Sequence, residues 1–508
     1  MKNIHKIFLA LISLSIAVSC SNFEELNTDP NAATRVSPEM LATQVMKDIY
    51  RFWNPNPTDF STANLWCKHL ARLDATANPY QYYYSYWPYG GFGGLQKITN
   101  LKRMVEFAEG NPAKPSFEGL ALFMKAYAGF SATLDMGDIP YSEAGMAEEG
   151  ITRPKYDKQA DVFVQVLSDF KAAEEKFAEG KNFGSCDIMY GGDAAKWRKL
   201  CNAMQLKVLQ TISKHITSEQ KARFAAIVSA GNLMTGNADN FQLVYSDNPN
   251  ATHPFWGGEN QRILDGVSKL VVDALRNLND RRLFYFAEPA KAEINAGKLE
   301  NDFTAYVGAP TELASGKLAL NNQAGMYSLI NIRYTIPRAG DPMIKFAYAE
   351  QCFIIAEAIE EGWVTGNSKD YYENGVKAQL AYYMTLPSAQ TGVHNMKIDQ
   401  AYIDGYFTGA AAYATTKTDR LHQIWTQRWL IDFFQGNGLN YPQFLRTGWP
   451  QFPLDPATSM NPDDNSVYPK RWKYPTDELV TNPDNYKKAV DEQYGGFDGI
   501  NGVPWYLK

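Results

Sequence analysis

Positive charge is in short supply in this 508-residue chain: 49 Lys and Arg face 55 Asp and Glu, a net charge of −6. A mildly acidic chain with no Lys/Arg block has no electrostatic hold on nucleic acid or anionic lipid, so both are excluded as partners. Histidine is scarce as well. Beyond His5 there are only His69, His215, His253, His394 and His422, scattered without ligand spacing. His215 follows a helical pattern and is expected at a helix C-terminus, where the dipole favours it. The motifs H-E-x-x-H, G-x-S-x-G and C-x-x-C do not occur. The glycines at 90–94 lack the Gly-Lys-Ser/Thr that a phosphate loop requires. No catalytic residue, metal or cofactor is assigned.

Long apolar runs are missing too. The longest, Ile7–Val18, follows Lys2, His5 and Lys6 and is too short for the roughly 20 residues of a spanning helix. It reads as a secretion signal over residues 1–19. The signal ends in "AVSC", which points to lipidation of Cys20 as the first mature residue. Ala17 stands where Leu is commoner, and ordinary cleavage near Ser19 is the alternative. Losing Lys2 and Lys6 with no acid takes the charge from −6 to −8. The remaining cysteines, Cys67, Cys186, Cys201 and Cys352, form no disulfide framework and are expected as free thiols, with Cys201 and Cys352 buried in helical patterns. No Ser/Gly- or Pro-rich linker divides residues 20–508, so one large domain is expected.

Helical periodicity is plentiful. Leu122, Ala126, Phe130 and Leu134 form a stripe that stops at "MGDIP", where Gly137 and Pro140 end it. Val162, Val166, Phe170, Ala173 and Phe177 line a second helix, with Asp157 as its expected N-cap. A third covers "DAAKWRKLCNAMQLKVLQTISKH". Ile344, Tyr348, Cys352, Ile355 and Ile359 suggest a fourth, and Tyr372, Val376, Leu380 and Tyr383 a fifth. Another runs from about Arg420 to Phe434. Helix, short turn, helix is the layout of helical-hairpin repeats. The fold class is therefore mostly α: a tetratricopeptide-like hairpin scaffold with long loop-rich insertions at 232–340 and 440–508. Function is expected in those loops.

Carboxylates are abundant, and a glycosidase needs only two of them about 5–10 Å apart. Glu350 and Glu357 share a helix face, but "AE…AE" there reads as a solvated or interhelical polar edge. "NPDDN" (461–465) could offer oxygens to calcium; Asx turns explain it more simply.

One segment stands out for what it has. "PYQYYYSYWPYGGFGG" (79–94) places six tyrosines and Trp87 within ten residues, followed by Gly90, Gly91, Gly93 and Gly94. If extended, Tyr80, Tyr82, Tyr84 and Tyr86 share a face; if helical, Tyr82 pairs with Tyr86 and Tyr83 with Trp87. In either case one set packs inward and another stays free to bind. Arg72, Asp74 and Asn78 are its polar companions. The glycines are expected to turn the backbone into a helix starting near Leu95. Trp256 in "HPFWGGENQR" is a second loop candidate, beside Glu259, Asn260 and Gln261. Tyr327 and Tyr334 are weaker candidates, and Trp363, Trp425 and Trp429 are expected in the core.

Together the segments resemble the SusD/RagB family of nutrient-binding outer-membrane lipoproteins from Bacteroidetes. The resemblance rests on "FEELNTDPNAA" (23–33), "MGDIPYSEA" (136–144), "RPKYDKQADVFVQVLSDFKAAEE" (153–175) and "KWRKLCNAMQLKVL" (196–209). It continues through "YAEQCFIIAEAIEEGW" (348–363), "IWTQRWLIDFFQGNGLNYPQFLRTGWP" (424–450) and "YPKRWKYPTDELVTNPDNYKKAV" (468–490). One departure is Leu445 in "LRTG", where the family usually has an arginine pair. The resemblance implies a lid-like lipoprotein on the outer membrane, facing outside. It would hold an oligosaccharide or peptide for a TonB-dependent (SusC-like) transporter and would not itself be an enzyme. It also favours Trp87 and a neighbouring tyrosine as ligand contacts. A glycoside hydrolase and a purely structural lipoprotein are the competing readings.

Overall fold

The structure, a computed structural model, describes residues 36–50, 57–83, 89–386, 392–435 and 440–508. Its frame is a set of helices packed as antiparallel hairpins: α1 (Lys114–Met136), α2 (Gln159–Glu179), α3 (Ala194–Thr211), α4 (Ser218–Ala230), α5 (Tyr348–Glu360), α6 (Ser368–Thr385), α7 (Lys417–Leu430) and α8 (Asn440–Thr447). This is the tetratricopeptide-like scaffold that the helical stripes predict. Val162, Val166, Phe170, Ala173 and Phe177 are all buried on α2.

The α1–α2 hairpin illustrates how sequence sets the corner. Gly137 closes α1 at φ 98°, a backbone conformation that costs a side-chain-bearing residue steric strain. Its missing Cβ also leaves room for Tyr494 and Gln493. The N-cap of α2 differs from expectation. Lys158 stands at the cap position, and Asp157 instead accepts Ser142 N (2.6 Å) and Oγ (2.8 Å). The α2 Gln159 amide is taken by Asp138 at 2.7 Å, from the far side of the corner.

Two short antiparallel pairs complete the secondary structure relevant to the loops. β1 (Leu70–Arg72) pairs with β3 (Asp265–Val267), with Arg72 opposite Asp265. β2 (Phe241–Leu243) pairs with β4 (Met343–Phe346). Ile344 therefore lies in a strand, not in the helix that starts at Tyr348.

Apolar side chains gather in two large cores. One, under α1, α2 and α3, centres on Trp197, which stacks on Phe177 (5.7 Å, 13°) and meets Phe123 and Phe241 edge-on. The other joins α5, α6 and α7 to the 255–345 loops. Trp429 is buried as expected, while Trp363 and Trp425 pack on these cores half-buried. Cys67, Cys186, Cys201 and Cys352 are free thiols, Cys186 half-buried and the others buried. His215 lies beyond the end of α3, stacked on the Trp505 ring at 4.2 Å with its Nε2 2.8 Å from the Trp505 carbonyl oxygen, so Trp505 holds it and not the helix dipole.

Candidate functional site

The aromatic segment leaves β1 through two side-chain-closed turns: Asp74 accepts Thr76 N (2.8 Å) and Asn78 accepts Tyr80 N (3.0 Å). Short polar side chains that bond to the backbone two residues on are what such turns require. They hold Asp74, Asn78 and Tyr80 half-exposed. The chain then reverses, with Tyr82 N donating to Pro79 O at 3.0 Å.

A turn is neither extended nor helical, so the expected split into inward and outward faces does not apply to the next three residues. Gln81, Tyr82 and Tyr83 are all buried. Gln81 accepts Arg72 N at 2.5 Å and donates to Thr311 O at 3.1 Å. The Tyr82 hydroxyl donates to Leu313 O at 2.6 Å, and its own carbonyl accepts Met460 N at 2.8 Å. Tyr83 meets Trp66 (5.9 Å) and Tyr468 (5.4 Å) edge-on. Tyr82 is thus an anchor with its polar tip engaged, which corrects its assignment as a ligand contact.

Arg72 is corrected in the same way. It is 5 % exposed and forms an ion pair with Asp265 at 3.3 Å. Burial pushes Asp265 up to about 6 against the pull of Arg72 and Gln261. Gln261 donates to Asp265 at 2.8 Å. A polar chain therefore runs from buried Gln81 through Arg72 and Asp265 to half-buried Gln261, on the short helix Glu259–Arg262 that follows Trp256.

Trp256 itself is 41 % exposed, with the Arg338 guanidinium 4.8 Å above its ring. Gly257 at φ 71° and its amide bond to Thr335 O (3.0 Å) set the loop. Tyr327 and Tyr334 are buried. Tyr84, Tyr86, Trp87 and Cys20 lie outside the described residues.

On the far side of the segment, Tyr89 is exposed and bridges Lys473, and Gly90 N donates to Lys473 O at 2.8 Å. Gly90 and Gly94 serve close approach: a Cβ on Gly90 would meet Met136 Sδ at 2.5 Å, and one on Gly94 would meet Ala128 Cβ at 2.9 Å, whereas Gly91 and Gly93 face open space. Short helices at Gly93–Gln96 and Ile98–Phe107 follow.

Sequence reasoning missed Lys68, which lies under Tyr83, and Arg338. The signal for Lys68 was a lysine in "WCKHLAR", among residues bound for a strand and a core.

The acid pair does not support hydrolysis. Glu350 sits in the interior between Lys207 (2.8 Å) and Arg428 (3.1 Å), and Glu357 meets Arg446 (2.6 Å) and Gln210 (2.6 Å). Burial would raise the Glu350 carboxyl, but the two cations outweigh it and hold it below its usual range. "NPDDN" forms turns: Asn461 Oδ1 accepts Asp463 N (3.2 Å), and Asp464 accepts Ser466 N (2.8 Å). Among the described residues, no group of three His, Cys, Asp or Glu is gathered to hold a metal, and no helix is long and apolar enough to cross a membrane.

A family model described as SusD-like, starch-binding and associating with the outer membrane matches residues 30–475. A SusD homologue from Bacteroides fragilis is 34% identical, with 93% of this chain and 100% of that one covered and a TM-score of 0.87. A second from the same species is 30% identical over the same shares, with a TM-score of 0.80. A chitin-binding SusD homologue from Flavobacterium johnsoniae shares the fold at 20% identity, with 93% and 98% covered and a TM-score of 0.70. No curated protein matches.

Proposed function

Since the chain belongs to the SusD-like family, we propose that it captures a nutrient oligosaccharide and delivers it to a TonB-dependent outer-membrane transporter. Residues 1–19 direct export, and a lipid on Cys20 tethers residues 20–508, as one domain, to the outer face of the outer membrane. The protein is a binder and not an enzyme.

The observation that carries this reading is the division within the aromatic segment. Gln81, Tyr82 and Tyr83 are locked inside, while Asp74, Asn78 and Tyr80 stay half-exposed at its start. A sugar ring has an apolar C–H face rimmed by hydroxyls. Flat rings cover that face, and carboxylates and amides take the rim. We assign the platform to Trp87, Tyr84 and Tyr86, the polar contacts to Asp74 and Asn78, and a further platform to Trp256. One stack covers on the order of 100 Å² of apolar surface, worth roughly 2–3 kcal/mol before ordering costs. Two stacks and a few hydrogen bonds place affinity at about millimolar to micromolar, weak enough for hand-over. The chitin-binding homologue supports a glycan ligand in the general sense that the same fold binds one there.

Calorimetric titration of the mature protein against oligosaccharides and peptide digests tests the reading. Saturable sugar binding without turnover is expected. Binding of peptides alone would redirect it to oligopeptide capture, and turnover would overturn it. Trp87→Ala is expected to abolish binding and leave the thermal midpoint nearly unchanged. A large drop in midpoint would place that ring in the core.

A further inference from the structure

A cleft of about 380 Å³ opens near the C-terminus, between the 461–470 loop and residues 494–502. That volume falls within the roughly 300–1,000 Å³ of small-molecule sites. Neither segment belongs to the aromatic run or to the Trp256 loop. The sequence "QYGGFDGING" (493–502) explains one wall. The helix Pro483–Tyr494 ends at Gly495, and Gly495 and Gly496, at φ 66° and 89°, turn the chain. Phe497 stands just past that corner, 62 % exposed. Its ring lies over Gly499, where a Cβ would collide with the ring and meet Asp463 Oδ2 at 2.8 Å. An exposed phenyl alone would mean little. This one lines a cleft whose other walls are polar.

Those walls are fixed. Asn461, 4 % exposed, and Asn501 exchange amide bonds: Asn461 Nδ2 donates to Asn501 Oδ1 (2.8 Å), and Asn501 Nδ2 to Asn461 Oδ1 (3.3 Å). Asp463 Oδ2 accepts Ile500 N at 2.9 Å, and the Lys470 amide donates to Ile500 O at 2.8 Å. Tyr494 is held by its hydroxyl on Met136 O (2.8 Å) and by Arg471, 4.1 Å above its ring. The two sides are joined by these bonds, so the cleft is pre-formed. What remains lines the opening: the exposed Asp463 and Asp464, and Lys470, which pairs with no carboxylate among the described residues.

We propose that this cleft is a second sugar subsite: Phe497 covers the C–H face of one pyranose ring while Asp463, Asp464 and Lys470 take its hydroxyls. The ligand class rests on the glycan-capture reading, but the residues are separate from those assigned there. Hydroxyls both donate and accept, so they suit a rim that carries carboxylates and an ammonium together. An anion would be repelled by the two carboxylates, and a purely apolar ligand would cover charges that it cannot pair. One stacked ring and a few hydrogen bonds make a weak site, of about millimolar affinity.

The test is hydrogen exchange over residues 461–470 and 494–502 of the mature protein, with maltotetraose or tetra-N-acetylchitotetraose titrated through the millimolar range. Phe497→Ala and Phe497→Tyr are compared with their parent. At least one sugar is expected to slow exchange in both segments. Phe497→Ala should need about tenfold more of it, the scale of one ring's buried apolar surface, and Phe497→Tyr should behave like the parent. Because the ring is exposed, the three thermal midpoints without sugar should agree. Slowing confined to other segments overturns the subsite and leaves glycan capture standing, and an unchanged response in Phe497→Ala overturns it as well. Slowing at the cleft alone supports the subsite and removes the assignment of Trp87 and its neighbours. If neither sugar slows exchange anywhere, both readings fall.

Discussion

Glu350→Ala is expected to lower the unfolding free energy by about 3–5 kcal/mol, the cost of stranding buried charge. Glu350 lies where α3, α5, α7 and α8 meet. One of its oxygens faces both Lys207 on α3 and Arg428 on α7. Arg428 also reaches Gln210 on α3 and Gln443 on α8, and one turn on, Arg446 closes on Glu357. Alanine would remove the carboxylate that two cations share, their side chains only 7 % and 4 % exposed. Denaturant unfolding of the two proteins measures the difference. A loss below about 1 kcal/mol would mean that water enters and solvates the pair. The sign in pH follows from the depressed carboxyl. Its contribution is full above the unfolded value of about 4.3 and is lost as pH falls toward the lower folded value. Acid sensitivity in that window should diminish in Glu350→Ala. A second change, Lys207→Met, should recover part of the loss by removing one stranded charge.

Trp197→Ala is expected to cost about 3–5 kcal/mol by a different route, an unfilled cavity. The indole is fully buried among Phe123, Phe177, Tyr190 and Phe241. These rings come from α1, α2, the 184–192 loop and β2, so no single movement refills the space. The lost Nε1 bond to Asp187 (2.7 Å) matters less, because that carboxylate still accepts Met189 N, Tyr190 N and Gly192 N. Trp197→Phe should therefore retain more than half of the stability lost in the alanine variant. Equal losses in both would assign the weight to the hydrogen bond instead of the packing.

What was legible in the sequence was local. The α2 stripe reads correctly because each contact it needs is set by the helical repeat itself. The N-cap of the same helix does not, because its acceptor, Asp138, sits 21 residues away across a corner. Ile344 continues a helical spacing yet lies in β4, since its strand partner is in β2 about a hundred residues earlier. Glu350 and Glu357 look like a polar edge because the cations that bury them come from other helices. Within the aromatic segment, tyrosine density was visible, but which rings are anchors depends on the Leu313 carbonyl and on the Lys68 ammonium, from before β1. Spacing within 79–94 carries none of that.

The glycines at 90 and 94 have a further consequence when set beside the buried turn at 81–83. One end of the aromatic stretch is tied to Thr311, Leu313 and Met460. The other end is pressed against Met136 and Ala128 of α1. The turn at 81–83 and the stretch from Tyr89 onward are thus each held by contacts of their own. Exchanging residues 84–88 for another five-residue sequence should therefore leave the melting temperature within a few degrees, which a thermal scan of the two proteins checks. Sequence change between those two ties costs the scaffold little, so substitutions are expected to accumulate there sooner than at the turn or at the two close-packed glycines.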